Sequence, residues 1–111
     1  MQDLKIKEIV GDKCTGYNEG KRLFTILDSF LSKGISANVD MDGVVFASSS
    51  FFNAAFGELV LKYDIPFLRE RLKFDKLSNK DKFLLSKSIS LAKKVKEEST
   101  SDFSKATPAS I

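Results

Sequence analysis

The chain has no histidine, and cysteine occurs once, at Cys14. The first absence removes the commonest general base and metal ligand. The second leaves no disulfide framework and no cysteine metal site. Excess charge is also scarce. Eighteen basic residues against fifteen acidic leave a net charge of +3, which argues against nucleic acid as a partner, since such binding draws on many phosphate contacts. No membrane-length apolar run and no signal peptide appear, so a soluble cytoplasmic protein without membrane contact is expected. No internal repeat is evident. Neither metal nor cofactor is expected.

What is present is enough for one domain with a core: 111 residues, 42% of them hydrophobic, with ten phenylalanines. Leu4 to Val10 alternates apolar and charged residues and predicts a first strand, with Lys5 and Lys7 on its outer face. Gly11 and Asp12 signal a turn, and Lys13 to Thr15 has the makings of a short second strand. A helix capped by Asn18 follows, with Glu19 in its first turn, an apolar stripe of Leu23, Ile26, Leu27, Phe30 and Leu31, and Gly34 as its stop.

Ile35, Ala37, Val39 and Met41 alternate with Ser36, Asn38, Asp40 and Asp42, which predicts a strand with one buried and one polar face. After a turn at Asp42-Gly43 and the serine step Ser48-Ser49-Ser50, a second helix carries Phe52, Ala55, Phe56, Leu59, Val60 and Tyr63, with Glu58 and Lys62 as an i,i+4 pair. Asp64-Ile65-Pro66 breaks it. Leu68 to Phe74 alternates again and predicts a last strand, with Arg69, Arg71 and Lys73 outward. Ser78 and Asp81 form a capping box for a third helix that buries Leu85, Ile89, Ala92 and Val95.

The expected order is β-(β)-α-β-α-β-α. Strands separated by helices pair in parallel through right-handed crossovers. With one apolar face per element, the fold is an α/β domain in which a small, mostly parallel sheet carries its helices on one face. This domain covers residues 1–98, and a flexible Ser/Thr-rich tail is expected over 99–111.

The central stretch admits two chemistries. Val39-Asp40-Met41-Asp42-Gly43-Val44 resembles the first motif of the haloacid-dehalogenase phosphatases. That resemblance implies Asp40 as nucleophile, Asp42 as general acid/base, and Mg²⁺. The family's later lysine and acidic pair find no counterpart here, because Glu97-Glu98 lies at the end of a helix. On the residues alone, Asp40 and Asp42 also read as a solvated strand edge and a turn residue. A strand feeding a serine-led helix, for its part, sets hydroxyls and free backbone N–H groups where anions bind well.

A longer run, from residue 4 to about 96, resembles the STAS-like family of bacterial regulatory domains, relatives of the anti-sigma-factor antagonists. It is carried by Glu19-Gly20-Lys21-Arg22-Leu23, by Val39 to Val44, and by Ser49-Ser50-Phe51. Asn53-Ala54-Ala55-Phe56-Gly57-Glu58-Leu59, Leu72-Lys73-Phe74 and the lysine-rich last helix continue it. The resemblance implies a non-enzymatic domain that regulates by binding a protein, such as a GHKL-type ATPase/kinase. It also implies a switch by phosphorylation at a serine step, where Ser49 falls at the modified position with Ser50 beside it. Ser48 stands where the related step has Asp, and Phe51 where it has Gly.

Plain helix capping is the other reading of Ser48, Ser49 and Ser50. Candidate partner contacts are Phe51, Asp40 and Asp42, with Arg69, Arg71 and Lys73 on a basic strand face. That face reads either as a solvated surface that blunts edge pairing or as a docking surface for an acidic protein or, weakly, nucleic acid. Its outward positions hold no aromatic residues for base stacking, which favours a protein.

Overall fold

The structure, a computed structural model, describes residues 1–104, with side chains through Glu98. Three short strands, β1 (Gln2–Lys5), β3 (Ala37–Asp40) and β5 (Leu72–Asp75), form a parallel sheet in the order β1-β3-β5. Register places Leu4 beside Val39 and Val39 beside Phe74, so the apolar residues line up across one face. Leu4, Ala37, Val39 and Met41 are buried there. The expected small parallel sheet, with helices over its apolar face, is what the chain forms. A second parallel pair joins β2 (Lys13–Cys14) to β4 (Phe46–Ala47).

Helices α1 (Ile6–Ile9) and α2 (Tyr17–Leu31) lie between β1 and β3 in the chain. Between β3 and β5 comes a longer helical run, here called the serine helix. It comprises α3 (Ser49–Phe52), a π-helical turn (Asn53–Gly57) and α4 (Glu58–Lys62), and the backbone stays helical through both joints. Then follow α5 (Ile65–Arg71) and, after β5, α6 (Asn79–Ser104). The serine helix is apolar on most of its circumference because it is enclosed. Phe51 and Phe52 meet edge-on at 5.4 Å, and Phe56 meets Phe74 of the sheet edge-on at 5.2 Å. On the α6 side, the buried Ser88 hydroxyl donates to the Asn53 side-chain carbonyl at 2.5 Å.

Close approach makes this enclosure possible. A Cβ on Gly20 of α2 would lie 2.5 Å from the Phe51 carbonyl oxygen and 2.7 Å from the Ala54 Cβ. No side chain fits. Farther along the same pair of helices, Lys62 bonds Asp28 at 2.9 Å and the Tyr63 hydroxyl donates to it at 2.6 Å. The Tyr63 bond and the Lys62 ammonium hold the Asp28 carboxyl below its usual range. Burial first, and then this bond, raise Tyr63 to about 12. Lys62 thus reaches across to α2 rather than back to Glu58.

The strands differ from expectation in two places. Leu4 to Val10 gives β1 and then one turn of helix, closed by the Val10 N–H on the Ile6 carbonyl at 2.9 Å. The turn buries Ile6 completely. Leu68 to Phe74 is the C-terminal half of α5 followed by β5, because Pro66 starts a helix instead of ending one. Proline at the first turn surrenders only an N–H that has no intrahelical acceptor. The Leu68 N–H donates to the Asp64 carbonyl at 3.0 Å.

The basic strand face is therefore not formed. Arg69 and Arg71 lie on α5 and Lys7 on α1. On the sheet's open face Lys5 and Lys73 are mixed with Asp3, Asp40 and Asp75, and Asn38 bridges Asp3 and Asp75 at 3.1 and 2.9 Å.

Smaller corrections concern ends and faces. Helix α2 begins at Tyr17 with Gly16, not Asn18, in the cap position. Val95 is 51% exposed, because the buried stripe of α6 runs through Leu85, Ser88 and Ala92. Gly34 turns the chain after α2 as expected, at φ +75°, and the Asp81 N–H bonds the Ser78 hydroxyl at 3.1 Å. The tail expected over 99–111 lies outside the described side chains, and 105–111 lie outside the described residues altogether. No helix among the described residues is long and apolar enough to cross a membrane.

Substituting Gly20→Ala tests the close approach. The added methyl must push α2 off the serine helix, so a loss of about 1–3 kcal/mol is expected in urea unfolding. A stability equal to wild type would show that the helices have room to spare.

Candidate docking site at the serine helix

The start of the serine helix is fixed from outside the helix. The Val45 N–H donates to the Asp12 carbonyl at 2.7 Å and the Ser48 N–H to the Cys14 carbonyl at 2.9 Å, so the β2–β4 pair carries the chain into place. The Ser48 backbone is extended, as a cap residue requires. Its hydroxyl accepts the Phe51 N–H at 3.2 Å and donates to the Thr15 carbonyl at 2.9 Å. Both of its roles are structural.

Ser49 and Ser50 are different. Both are exposed, and neither hydroxyl makes a hydrogen bond among the described residues. They sit in the first turn, where N–H groups lack intrahelical acceptors and the helix dipole is positive. Phe51 faces the other way and is wholly buried. It is therefore corrected from candidate partner contact to core residue, and its ring does not obstruct the serine step.

Beside this step runs a stripe that sequence reasoning missed. Phe46 of β4 is 41% exposed and lies under the Lys80 ammonium, 4.8 Å from the ring centre. One turn further along α6, Phe83 is 63% exposed and carries the Lys87 ammonium at 5.9 Å. Val45 is also exposed. The spacing Lys80, Phe83, Lys87 was legible as one helix face opposite Leu85 and Ala92. Phe46 was not legible, because a two-residue strand has no period.

The remaining candidates scatter. Asp40 is half-buried and accepts the Asp42 N–H at 2.9 Å, so its carboxylate closes its own turn, and Asp42 is exposed. Both border a shallow polar pocket with Lys5, Lys7 and Glu8. Among the described residues no group of three or more acidic or cysteine side chains is placed to hold a metal ion. Arg71 donates to the Gly34 carbonyl at 2.8 Å and stacks over Phe67 at 5.1 Å, a clamp on the end of α2. Lys73 reaches the Arg69 carbonyl at 3.4 Å. Arg69 is exposed, and its guanidinium has no hydrogen bond or ion pair among the described residues. Cys14 is buried beneath the serine step, and burial raises its thiol to about 11, so it stays protonated at neutral pH.

A three-stranded parallel sheet with helices on one face and a serine-led helix in its core defines a small α/β domain of STAS type. The family model described as "STAS-like domain of unknown function (DUF4325)" matches residues 19–82. That is more than half of the chain, and the chain belongs to this family. The match takes in α2 from Glu19 onward, the serine step, the whole serine helix and β5. No curated protein and no solved structure matches the chain.

The unequal roles of the serines can be measured. Ser48→Ala removes both the cap and the bond to Thr15 and is expected to lower stability by about 1–2 kcal/mol. Ser49→Ala should stay within about 0.5 kcal/mol of wild type. Equal losses in denaturant melts would refute this assignment of the cap.

Proposed function

We propose that the chain is a non-enzymatic regulatory domain that docks a partner protein over the start of the serine helix, with Ser49 as its switch. One observation carries this reading. Ser49 presents an exposed, unengaged hydroxyl in the first turn of a helix whose capping is already completed by Ser48. The hydroxyl can be modified without dismantling the cap. Phe46 and Phe83, each partly in water under a lysine, support the docking half of the proposal. Aromatic side chains, phenylalanine among them, are enriched at interfaces relative to the rest of a protein's surface. The STAS resemblance suggests a GHKL-type ATPase/kinase as the partner.

A phosphate on Ser49 adds about −1.5 to −2 charges. Within the domain the helix dipole tolerates it and favours an anion there by about 0.3–1 kcal/mol. Across an interface shaped for a hydroxyl, the same charge brings desolvation and repulsion from partner carboxylates. Phosphorylation would therefore release the partner.

The test uses isothermal titration with a GHKL-type ATPase from the same organism. Ser49→Asp is expected to keep the melting temperature and to weaken binding at least tenfold, about 1.4 kcal/mol. Ser49→Ala should bind like wild type, whereas Phe83→Ala should bind less well with the fold intact. Wild-type affinity in Ser49→Asp, or unfolding of that variant, would sink the switch.

A further inference from the structure

Far from the serine step in the chain, the second half of the serine helix, α5, β5 and α6 do not close on one another completely. They leave a partly open cavity of about 250 Å³. Its wall includes Leu59, Leu68, Leu72, Phe74 and Ile89, and the only charged side chain among its ten lining residues is Arg69. A void of this kind is a liability. Interiors are close-packed, and the apolar walls of such a hollow forfeit the contacts that a fitting apolar group would supply. The fold would gain by filling it.

The wall and the cation together specify what fills it. Hydrocarbon surroundings select an apolar body. Arg69 selects the charge of its end: it is a planar, permanently charged fork suited to a carboxylate, and it has no carboxylate partner among the described residues. Arg71, by contrast, is held by the Gly34 carbonyl through one terminal nitrogen and by the Phe67 ring, with its buried Nε unpartnered among the described residues, and it does not line the cavity. Size follows by proportion. A cavity of about 150 Å³ lined by such side chains takes benzene, so this one has room for about ten carbons. We propose that the cavity binds a small amphipathic carboxylate, a medium-length hydrocarbon acid whose chain fills the space between α5, β5 and α6 and whose carboxylate pairs with Arg69. The proposal does not depend on the docking site, and it assigns the cavity a ligand rather than a protein.

Titration calorimetry and thermal melts with hexanoate, octanoate, decanoate and tetradecanoate, each below its micelle concentration, provide the test. Affinity should rise about fourfold per methylene while the chain still fits and stop rising at about ten carbons. Decanoate should raise the melting temperature, and decyltrimethylammonium, with the same chain and the opposite charge, should not. Arg69→Gln is expected to weaken decanoate at least tenfold and to leave decanol unaffected. Ile89→Trp fills the cavity and should abolish binding of both. If it does not fold, Leu72→Phe serves the same purpose from the strand side. Methyl NMR shifts should move at Leu68 and Leu72 and not at Ala47, the methyl that precedes the serine step. Any of three results overturns the proposal: no decanoate binding at millimolar concentration, unchanged binding in Arg69→Gln, or affinity that climbs without limit with chain length.

Discussion

The backbone-to-backbone approach of α2 and the serine helix at Gly20 is the constraint on which the rest of the structure depends. With no side chain between them, the carbonyl of Phe51 and the methyl of Ala54 come up against α2 itself. That proximity explains the small residues Ala54 and Ala55, which lie in the π-helical turn where Ala54, Ala55, Phe56 and Gly57 are all buried. It also explains why three phenylalanines can pack within six residues. The ring of Phe51 is wholly enclosed, while Phe56 is carried round to Phe74 on the sheet. A wider spacing would leave voids that the surrounding side chains could not fill.

The same constraint determines what the helix shows to solvent. The body of the serine helix is held by α2, α6 and the sheet and exposes only Asn53, Glu58, Leu61 and Lys62, whereas its first turn presents Ser49 and Ser50, adjacent and both exposed. That turn is held in turn by the short β2–β4 pair through Asp12, Cys14 and Thr15. A site held from both ends is pre-organised, which lowers the ordering cost of binding. The three adjacent serines consequently differ in kind. Ser48 is part of the frame, whereas Ser49 and Ser50 are what the frame presents.

The mild positive charge is distributed in a similar way, residue by residue rather than as a field. Arg71 closes the end of α2, Lys62 joins α2 to α4 through Asp28, and Lys80 and Lys87 lie over exposed rings. Arg69 remains at the mouth of an apolar cavity. No face of the sheet is left basic, because lysines and aspartates alternate across it.

What the sequence determined by itself is the part governed by residues a few positions apart. The stripe Leu23, Leu27, Leu31, the alternation through Ala37 and Val39, the cap at Ser78 and the turn at Gly34 are all such local signals, and each is present in the structure. Together they sufficed for an α/β domain with a small parallel sheet carrying its helices on one face, and for the serine step. Other features rested on contacts distant in sequence. Five or six alternating residues fit a strand and an amphipathic turn almost equally well, so Ile6 to Ile9 and Ile65 to Arg71 became helices only because the core accepts Ile6 and Leu68 that way. Two-residue β4 exists only because β2 is beside it. Whether Phe51 points inward, whether Phe46 points out, and whether Arg69 meets a sheet face or a cavity depend on which helices pack together. Only the tertiary structure decided these, because side-chain direction at an element's end is set by the neighbour it meets and not by the residues adjacent in the chain.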